Sequence, residues 1–267
     1  MRIAFSPCPN DTFVFHALVH GLVPGAPELD VTFADVDVTN TAALDGRFDL
    51  VKVSYAALPW LLDAYELLPC GGALGRGCGP LLLTAGRGDI SGATVAVPGD
   101  RTTAYLLFRL WAAQTGQVPG RIEVVPFHEI MPGVAAGRYD AGLVIHEARF
   151  TYQRFGLTSL VDLGQWWEGD TGLPIPLGAI LAKRGTVDAA AATEWIRTSV
   201  RAAWADPEAS RAYVLAHAQE MEPAVVDQHI KLYVNDFTED LGADGLAAAR
   251  ALLHRAAAEG LVPPVDL

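Results

Sequence analysis

The chain has 267 residues, of which 51% are hydrophobic and 19% are charged, a balance that excludes an intrinsically disordered protein. This length allows one large domain or two smaller ones with buried cores. The formal net charge of −12 argues against nucleic acid or an anionic membrane as the main partner, because both require basic patches. An anionic small molecule stays compatible with this charge, since helix ends and a few cations can bind one.

The N-terminal segment shows no signal-peptide pattern, and no apolar stretch reaches the roughly 18 residues that a membrane span requires. The three cysteines, Cys8, Cys70 and Cys78, have no C-x-x-C spacing. They therefore indicate neither a disulfide framework nor a zinc site. These features predict a cytoplasmic protein without a metal.

In chain order, short β-like runs alternate with helical stretches from the N-terminus onward. The first helix is expected to end at Gly21, because glycine commonly closes a helix. Expected strands in this part are residues 2–5, 29–36, 50–53 and 79–85, and expected helices are residues 12–20, 41–45 and 55–62.

A second unit is expected to begin near Gly86. It comprises a strand at 92–99, an apolar helix at 102–114, a strand at 122–127, a short helix, and a strand at 141–145. A strand within 172–185 then returns the chain to the first unit, and the Ala-rich sequence from Val187 onward is helical. This alternation predicts α/β architecture with mostly parallel strands.

The predicted domains are residues 1–85 plus 173–267 for a discontinuous first lobe, and residues 86–172 for a second lobe. Two α/β units joined by two crossovers resemble the periplasmic-binding-protein type II fold. That resemblance implies a ligand cleft between the lobes.

Polar side chains follow most of the predicted strands, where ligands bind in open parallel sheets. The alternative for Asp11, Asn40 and Ser54 is helix N-capping, worth about 1 kcal/mol each. The adjacent hydroxyls of Thr102 and Thr103 at a helix start predict a seat for an anion or carboxylate. The polar residues at these junctions are Ser6, Asn10, Asp11, Thr12, Thr39, Asn40, Lys52, Ser54, Thr102, Thr103 and His146.

Lys52 interrupts the apolar run LVKVS, where a charge must be paired or face a ligand. It either binds a carboxylate or oxyanion, or forms a structural ion pair. The partners considered for such a pair are Asp35, Asp37 and Asp49.

His146 ends the apolar strand AGLVI, and an imidazole placed there is suited to act as a general base. The alternative is a histidine bonded to nearby backbone. The segment HEARF lacks the second histidine of a zinc protease, and Glu147 and Arg149 are expected to pair with each other or with solvent. Cys8 is a weaker candidate for a nucleophile.

Several segments together resemble the 1,4-dihydroxy-6-naphthoate synthase family, enzymes of the futalosine route to menaquinone. The resemblance covers Ser6 to about Lys183 and has weaker support over the C-terminal helices. The segments are SPCPNDTFVFHALVHG, KVSYAA, GGALGRGCGPLLL, VAVPGDRTTAYLL, AGLVIHEARFTYQRFGL and DLGQWWEGDTGLPIPLGAI.

The resemblance implies a lyase without cofactor or metal, whose substrate is cyclic dehypoxanthine futalosine. Its products are 1,4-dihydroxy-6-naphthoate and a dehydrated sugar remnant. His146 of the HE-x-RF motif is implied as the proton acceptor. The implied substrate contacts are Lys52, Val53, Ser54, Thr103 and Ala104, and Thr102 is adjacent to them. Asn40 is a further candidate for substrate binding because of its position between a predicted strand and a predicted helix.

Two other functions stay open at this point. A plain binding protein for a small carboxylate would share the fold but would not need a base at His146, and it would normally be exported. A sister enzyme on the same fold, chorismate dehydratase, is the second alternative, against which the HEARFTY segment counts. A homodimer is possible, and neither nucleic acid nor membrane is expected as a partner.

Overall fold

Short strands alternate with helices along most of the chain, and a computed structural model describes residues 1–218 and 222–267. The strands are β1 Arg2–Phe5, β2 Asp30–Phe33, β3 Leu50–Ser54, β4 Tyr65–Gly75, β5 Leu81–Thr84, β6 Thr94–Val97, β7 Arg121–Val124, β8 Ala141–Val144, β9 Thr158–Asp162 and β10 Ile175–Lys183. The helices are α1 Pro9–Val19, α2 Val36–Leu44, α3 Thr103–Thr115, α4 Phe127–Ala135, α5 Ala148–Thr151, α6 Leu163–Thr171, α7 Ala189–Ala205, α8 Arg211–His217, α9 Pro223–Tyr233, α10 Asp236–Glu239 and α11 Gly242–Ala258. Short 3-10 helices occupy Tyr55–Trp60, Tyr152–Phe155 and Pro207–Ser210.

The first of two units comprises Met1–Gly75 and Pro176–Leu267. Its sheet has the strand order β2-β1-β3-β10-β4, with β1 parallel to β2 and β3 and with β10 antiparallel to β3. Every residue of β3 is buried, as expected for a central strand covered on both faces. The core packs α1 and α7 against this sheet, and the rings of Phe5 and Phe15 stack with centroids 4.7 Å apart.

The second unit comprises Arg76–Ile175. Its sheet has the order β7-β6-β8-β5-β9, in which β6 is parallel to β7 and β8, and β5 is antiparallel to β8 and β9. A smaller core packs α4 against this sheet through Ile130 and Val134. Both sheets are therefore mixed, and the prediction of mostly parallel strands holds for only part of each.

Local signals place α3 within one residue of its predicted start. The Thr102 hydroxyl accepts a hydrogen bond from the Tyr105 N–H at 3.2 Å, which satisfies one of the unpaired amides of the first turn. The helix ends at Gly116, which has φ of 69°. Asp188 caps α7 in the same way by accepting from the amides of Ala190 and Ala191.

Two predicted helix starts are wrong. Helix α1 begins at Pro9 and not at residue 12, because proline at the first helical position is already set to helical φ. Asp11 therefore lies in the first turn of α1. Helix α2 begins at Val36 and not at residue 41, because β2 ends at Phe33, and this places Asn40 inside the helix.

Strand β4 was not predicted, and glycines are the reason. Glycine is depleted in strands, yet β4 contains Gly71 and Gly72. A Cβ on Gly71 would lie 2.8 Å from Ile196 Cγ2, and one on Gly72 would lie 2.6 Å from the Gly178 carbonyl oxygen. Only glycine allows this close packing. Strand β9 and helix α6 were also missed.

Candidate functional site

His146 follows β8 and has an unusual backbone conformation. Its φ is 55°, and within residues 1–218 and 222–267 it is the one non-glycine residue with positive φ. This left-handed conformation costs a residue with a Cβ about 1–2 kcal/mol, so it persists only where surrounding contacts impose it. The half-buried imidazole and the Phe127 ring are nearly perpendicular, with their centroids 5.4 Å apart.

Arg149 anchors the segment that follows His146. Its guanidinium donates to the Gly79 carbonyl at 2.8 Å and to Asp162 Oδ2 at 2.5 Å, and both partners in the ion pair are largely buried. The other oxygen of Asp162 accepts from the amides of Gly164 and Gln165 at the start of α6. One carboxylate thus caps a helix and holds the His146 turn.

The expected pairing of Glu147 with Arg149 or solvent is wrong for both residues. Arg149 is bound to Asp162, and Glu147 is 5% exposed. Glu147 occupies the N-cap position of α5 without a side-chain capping bond. Its burial next to His146 was not foreseen from the sequence.

Thr102, Thr103 and Ala104 lie at the start of α3, directly after β6. The Thr102 hydroxyl is used within its own turn, since it accepts from Tyr105 and donates to the Gly99 carbonyl at 2.9 Å. Thr102 is therefore a structural cap. Thr103 and Ala104 supply the first amides of the helix, which have no acceptor within α3 and lie at the positive end of the helix dipole.

The same edge of the second sheet carries His146 and the start of α3. Strands β6 and β8 are parallel neighbours, with Val95 beside Ala141 and Ala96 beside Gly142. Their carboxyl ends consequently lie at one edge of the sheet, where the sequence predicted polar side chains after these strands. The His146 imidazole and the N-terminus of α3 thereby lie at the same edge of this sheet.

Lys52 on β3 forms an ion pair with Asp11 on α1. Both residues are buried, with Lys52 7% and Asp11 2% exposed. None of the three partners considered from the sequence, Asp35, Asp37 and Asp49, is the ion-pair partner of Lys52, because the tertiary fold brings Asp11 to it instead. The capping alternative for Asp11 is also wrong, since it caps no helix.

Two hydrogen bonds between Asn40 and Ser54 connect α2 with the end of β3. Asn40 Nδ2 donates to Ser54 Oγ at 3.1 Å, and the Ser54 amide donates to Asn40 Oδ1 at 2.8 Å. Ser54 occupies the N-cap position of the 3-10 helix Tyr55–Trp60 without a side-chain capping bond, and Asn40 lies inside α2, so neither side chain caps the helix that it was predicted to begin. Because side chains alternate along a strand, Lys52 and Ser54 share one face of β3 while Val53 points to the other.

Two of the three cysteines, Cys70 and Cys78, are poor nucleophiles. All three cysteines are buried and none forms a disulfide, and burial raises the pKa of both Cys70 and Cys78 to about 12. A thiol with such a pKa is protonated at neutral pH. Cys8 occupies the N-cap position of α1, and its carbonyl accepts from the amides of Asp11 and Thr12.

The adjacent tryptophans have separate structural roles in the second unit. Trp167 is fully buried and donates from Nε1 to the Pro174 carbonyl at 3.0 Å. Trp166 donates from Nε1 to Gln114 Oε1 at 2.8 Å and so connects α6 with α3. Both side chains therefore stabilise the packing of the second unit.

Among the helices of the described residues, none is long and apolar enough to cross a membrane. The family model described as menaquinone biosynthesis matches residues 1–258. A Streptomyces coelicolor protein named 1,4-dihydroxy-6-naphtoate synthase is 67% identical over 270 residues, covering 98% of this chain and 95% of that protein. A Thermus thermophilus protein of the same name is 48% identical, covering 99% and 96%.

Solved structures agree with the predicted fold class. An Archaeoglobus fulgidus crystal structure has a TM-score of 0.91 at 30% identity and covers 98% of each chain. The alkanesulfonate-binding protein of Xanthomonas axonopodis pv. citri, bound to MOPS, has a TM-score of 0.75 at 16% identity, covering 99% of this chain and 94% of its own. This second likeness shows the fold alone, which is that of periplasmic binding proteins. Together with the sequence relatives, these matches confirm the resemblance drawn from the motifs, and the chain belongs to the menaquinone biosynthesis family.

Proposed function

We propose that the chain is a carbon–carbon lyase that converts cyclic dehypoxanthine futalosine to 1,4-dihydroxy-6-naphthoate with loss of a sugar remnant. The main support is the 67% identity, over 98% of this chain, to a protein named 1,4-dihydroxy-6-naphtoate synthase. The proposal includes neither a metal nor an organic cofactor. Its chemistry therefore falls to side chains and backbone amides.

His146 acts as the proton acceptor in this proposal. Breaking the cyclic substrate requires removal of a proton from carbon, and an imidazole ring nitrogen is suited to accept it. The left-handed backbone at His146 supports the assignment, because strained residues cluster at functional sites. Arg149 and Asp162 hold the turn that carries it.

The substrate carboxylate is assigned to the start of α3. The amides of the first turn and the Thr103 hydroxyl offer donors to an anion at the positive end of the helix dipole. If Thr103→Val bound the naphthoate product as tightly as the wild type, this assignment would be wrong. Thr103→Ser is the matched control, because it keeps the hydroxyl and should bind like the wild type.

Lys52 and Ser54 are assigned to other substrate oxygens. The Lys52 ammonium carries three N–H groups, and within residues 1–218 and 222–267 it donates to Asp11. Ser54 Oγ accepts from Asn40, which leaves the Ser54 hydroxyl hydrogen to donate. Donors of this kind stabilise negative charge that develops on a substrate oxygen. The Val53 side chain points away, so only its backbone can contribute.

The proposal is tested by incubating purified wild-type and His146→Ala protein with cyclic dehypoxanthine futalosine and following naphthoate formation by mass spectrometry. We expect turnover by the wild type and a loss of at least about 100-fold in the variant. Equal turnover by both would refute His146 as the base. Chorismate is supplied in a parallel reaction, and dehydration of chorismate instead would favour the sister enzyme.

Binding of the substrate without turnover by either protein would favour the plain binding function. Calorimetric titration of the same two proteins measures this directly. A homodimer and a cytoplasmic location stay predictions, and sedimentation of the purified protein tests the former.

A further inference from the structure

We propose that Asp11 is a positioning residue, which fixes the Lys52 ammonium in the orientation that the substrate requires. This inference rests on the proposed function, in which Lys52 binds a substrate oxygen. It adds a residue that touches Lys52 and not the reacting atoms. The sequence offered Asp11 only as a polar residue before a helix or as a cap.

The Asp11 carboxylate is held independently of the lysine. Oδ2 accepts from the Ser6 hydroxyl at 2.7 Å and from the Ser6 amide at 3.3 Å. Oδ1 accepts from Asn10 Nδ2 at 2.8 Å and from Lys52 Nζ. Three of the four donors are neutral and belong to the loop and first turn around α1. Asp11 is therefore a fixed acceptor, and the flexible lysine side chain is the partner that it restrains.

A second layer holds Asn10. Its Oδ1 lies 2.9 Å from His229 Nε2 on α9, and His229 is 1% exposed. Because the Asn10 amide nitrogen donates to Asp11, its oxygen must accept, so His229 donates from Nε2. A continuous chain of hydrogen bonds then runs from His229 through Asn10 and Asp11 to Lys52.

The lysine stem passes close to a glycine of the neighbouring strand. Gly178 on β10 lies beside it, and a Cβ at Gly178 would be 3.0 Å from Lys52 Cε. The φ of Gly178 lies outside the left-handed region, so glycine is needed here for clearance and not for backbone conformation. Asp11 restrains the charged end of Lys52, and the absence of a side chain at Gly178 leaves space for the Lys52 methylene groups.

A purely structural role does not account for this arrangement. A buried ion pair contributes little net stability, because desolvation offsets the attraction. If the pair were structural, the remaining N–H groups of Lys52 would also need acceptors. Among the described residues the ammonium donates to Asp11, which leaves its other N–H groups to donate to a ligand.

A double-mutant cycle tests the inference, with kcat/KM measured for wild type, Asp11→Asn, Lys52→Met and the double variant. We expect Asp11→Asn to lower kcat/KM about 10- to 100-fold in the wild-type background and less than about threefold when Lys52 is already methionine. Additive losses would overturn the inference. Asp49→Asn is the matched control, since it removes a carboxylate next to β3 that binds Arg2 and not Lys52.

A measurement without substrate distinguishes a failure of this inference from a failure of the proposed function. The chain has three lysines, Lys52, Lys183 and Lys231, so 15N-lysine labelling yields three ammonium signals. We expect a Lys52 signal protected from solvent exchange, assigned by its absence in Lys52→Met. It should be lost or shifted in Asp11→Asn and unchanged in Asp49→Asn.

Gly178→Ala provides an independent variant that keeps both charges. It should shift the same Lys52 signal by crowding Cε, whereas Gly169→Ala, which contacts nothing within 4 Å, should not. A wild type without turnover would refute the proposed function. A Lys52 signal that does not change in Asp11→Asn would overturn the inference, whether or not the wild type is active.

Discussion

The left-handed backbone at His146 leads to a prediction that is independent of any substrate. His146→Gly should be more stable than His146→Ala, although both variants lose the imidazole. At ordinary positions the reverse order holds, because glycine is the more flexible residue in the unfolded chain. Only a positive φ in the folded protein reverses it.

The magnitude follows from two opposing terms. A residue with a Cβ at φ of 55° costs about 1–2 kcal/mol relative to its preferred conformations, and glycine avoids that cost. Glycine loses roughly 0.5–1 kcal/mol more than alanine in conformational entropy on folding. The difference leaves the glycine variant more stable by about 0.5–1 kcal/mol.

Urea unfolding followed by circular dichroism measures this difference through the midpoint at a fixed slope. The control is Ala190→Gly in the first turn of α7, where the exposed helical position predicts a loss of up to about 1 kcal/mol relative to wild type. If His146→Ala were as stable as His146→Gly, or more stable, the left-handed conformation would not exist in solution. The strain argument for His146 would then fail with it.

Three further predictions concern both units. Arg149→Gln should lower kcat about tenfold by loosening the His146 turn, with unfolding free energy reduced by about 1–3 kcal/mol; an unchanged kcat would contradict the anchoring role. Thr102→Val should lose about 1 kcal/mol in thermal unfolding, and Thr102→Ser should restore it, because the hydroxyl caps α3. Burial, and then the charge of His20, lower the pKa of His16, so the unfolded chain takes up the proton first as pH falls below about 6.5. Stability should therefore drop from pH 7 to pH 5 more in wild type than in His16→Gln, and equal drops in urea unfolding would contradict this.

Local sequence signals located much of the fold. The threonine cap at one end of α3 and the glycine at the other each depend on only a few neighbouring residues, and the predicted and observed bounds differ by one residue. The strand that leads to His146 is likewise a short apolar run whose neighbours mark its ends. Such features depend on the chain within one turn, so the sequence alone contains them.

Long-range packing explains what the sequence did not reveal. The glycines Gly71 and Gly72 of β4 allow close packing against Ile196 and Gly178, which are distant in sequence. The partner of Lys52 is 41 residues away, and the support of Asn10 by His229 spans 219 residues. No spacing pattern identifies a contact of that kind. The charge of Lys52 within an apolar run could be noticed in the sequence, whereas the identity of its partner depends on the tertiary fold.

The order of strands in the first sheet has a consequence for synthesis on the ribosome. Strand β10 lies between β3 and β4, yet it is made only after the whole of Arg76–Ile175. At translation rates of about 5–20 residues per second, those hundred residues take roughly 5–20 seconds to emerge. During that interval β3 and β4 both have an unpaired edge, a feature that promotes aggregation. A nascent chain halted before Ile175 should therefore depend on chaperones more than the full-length chain does.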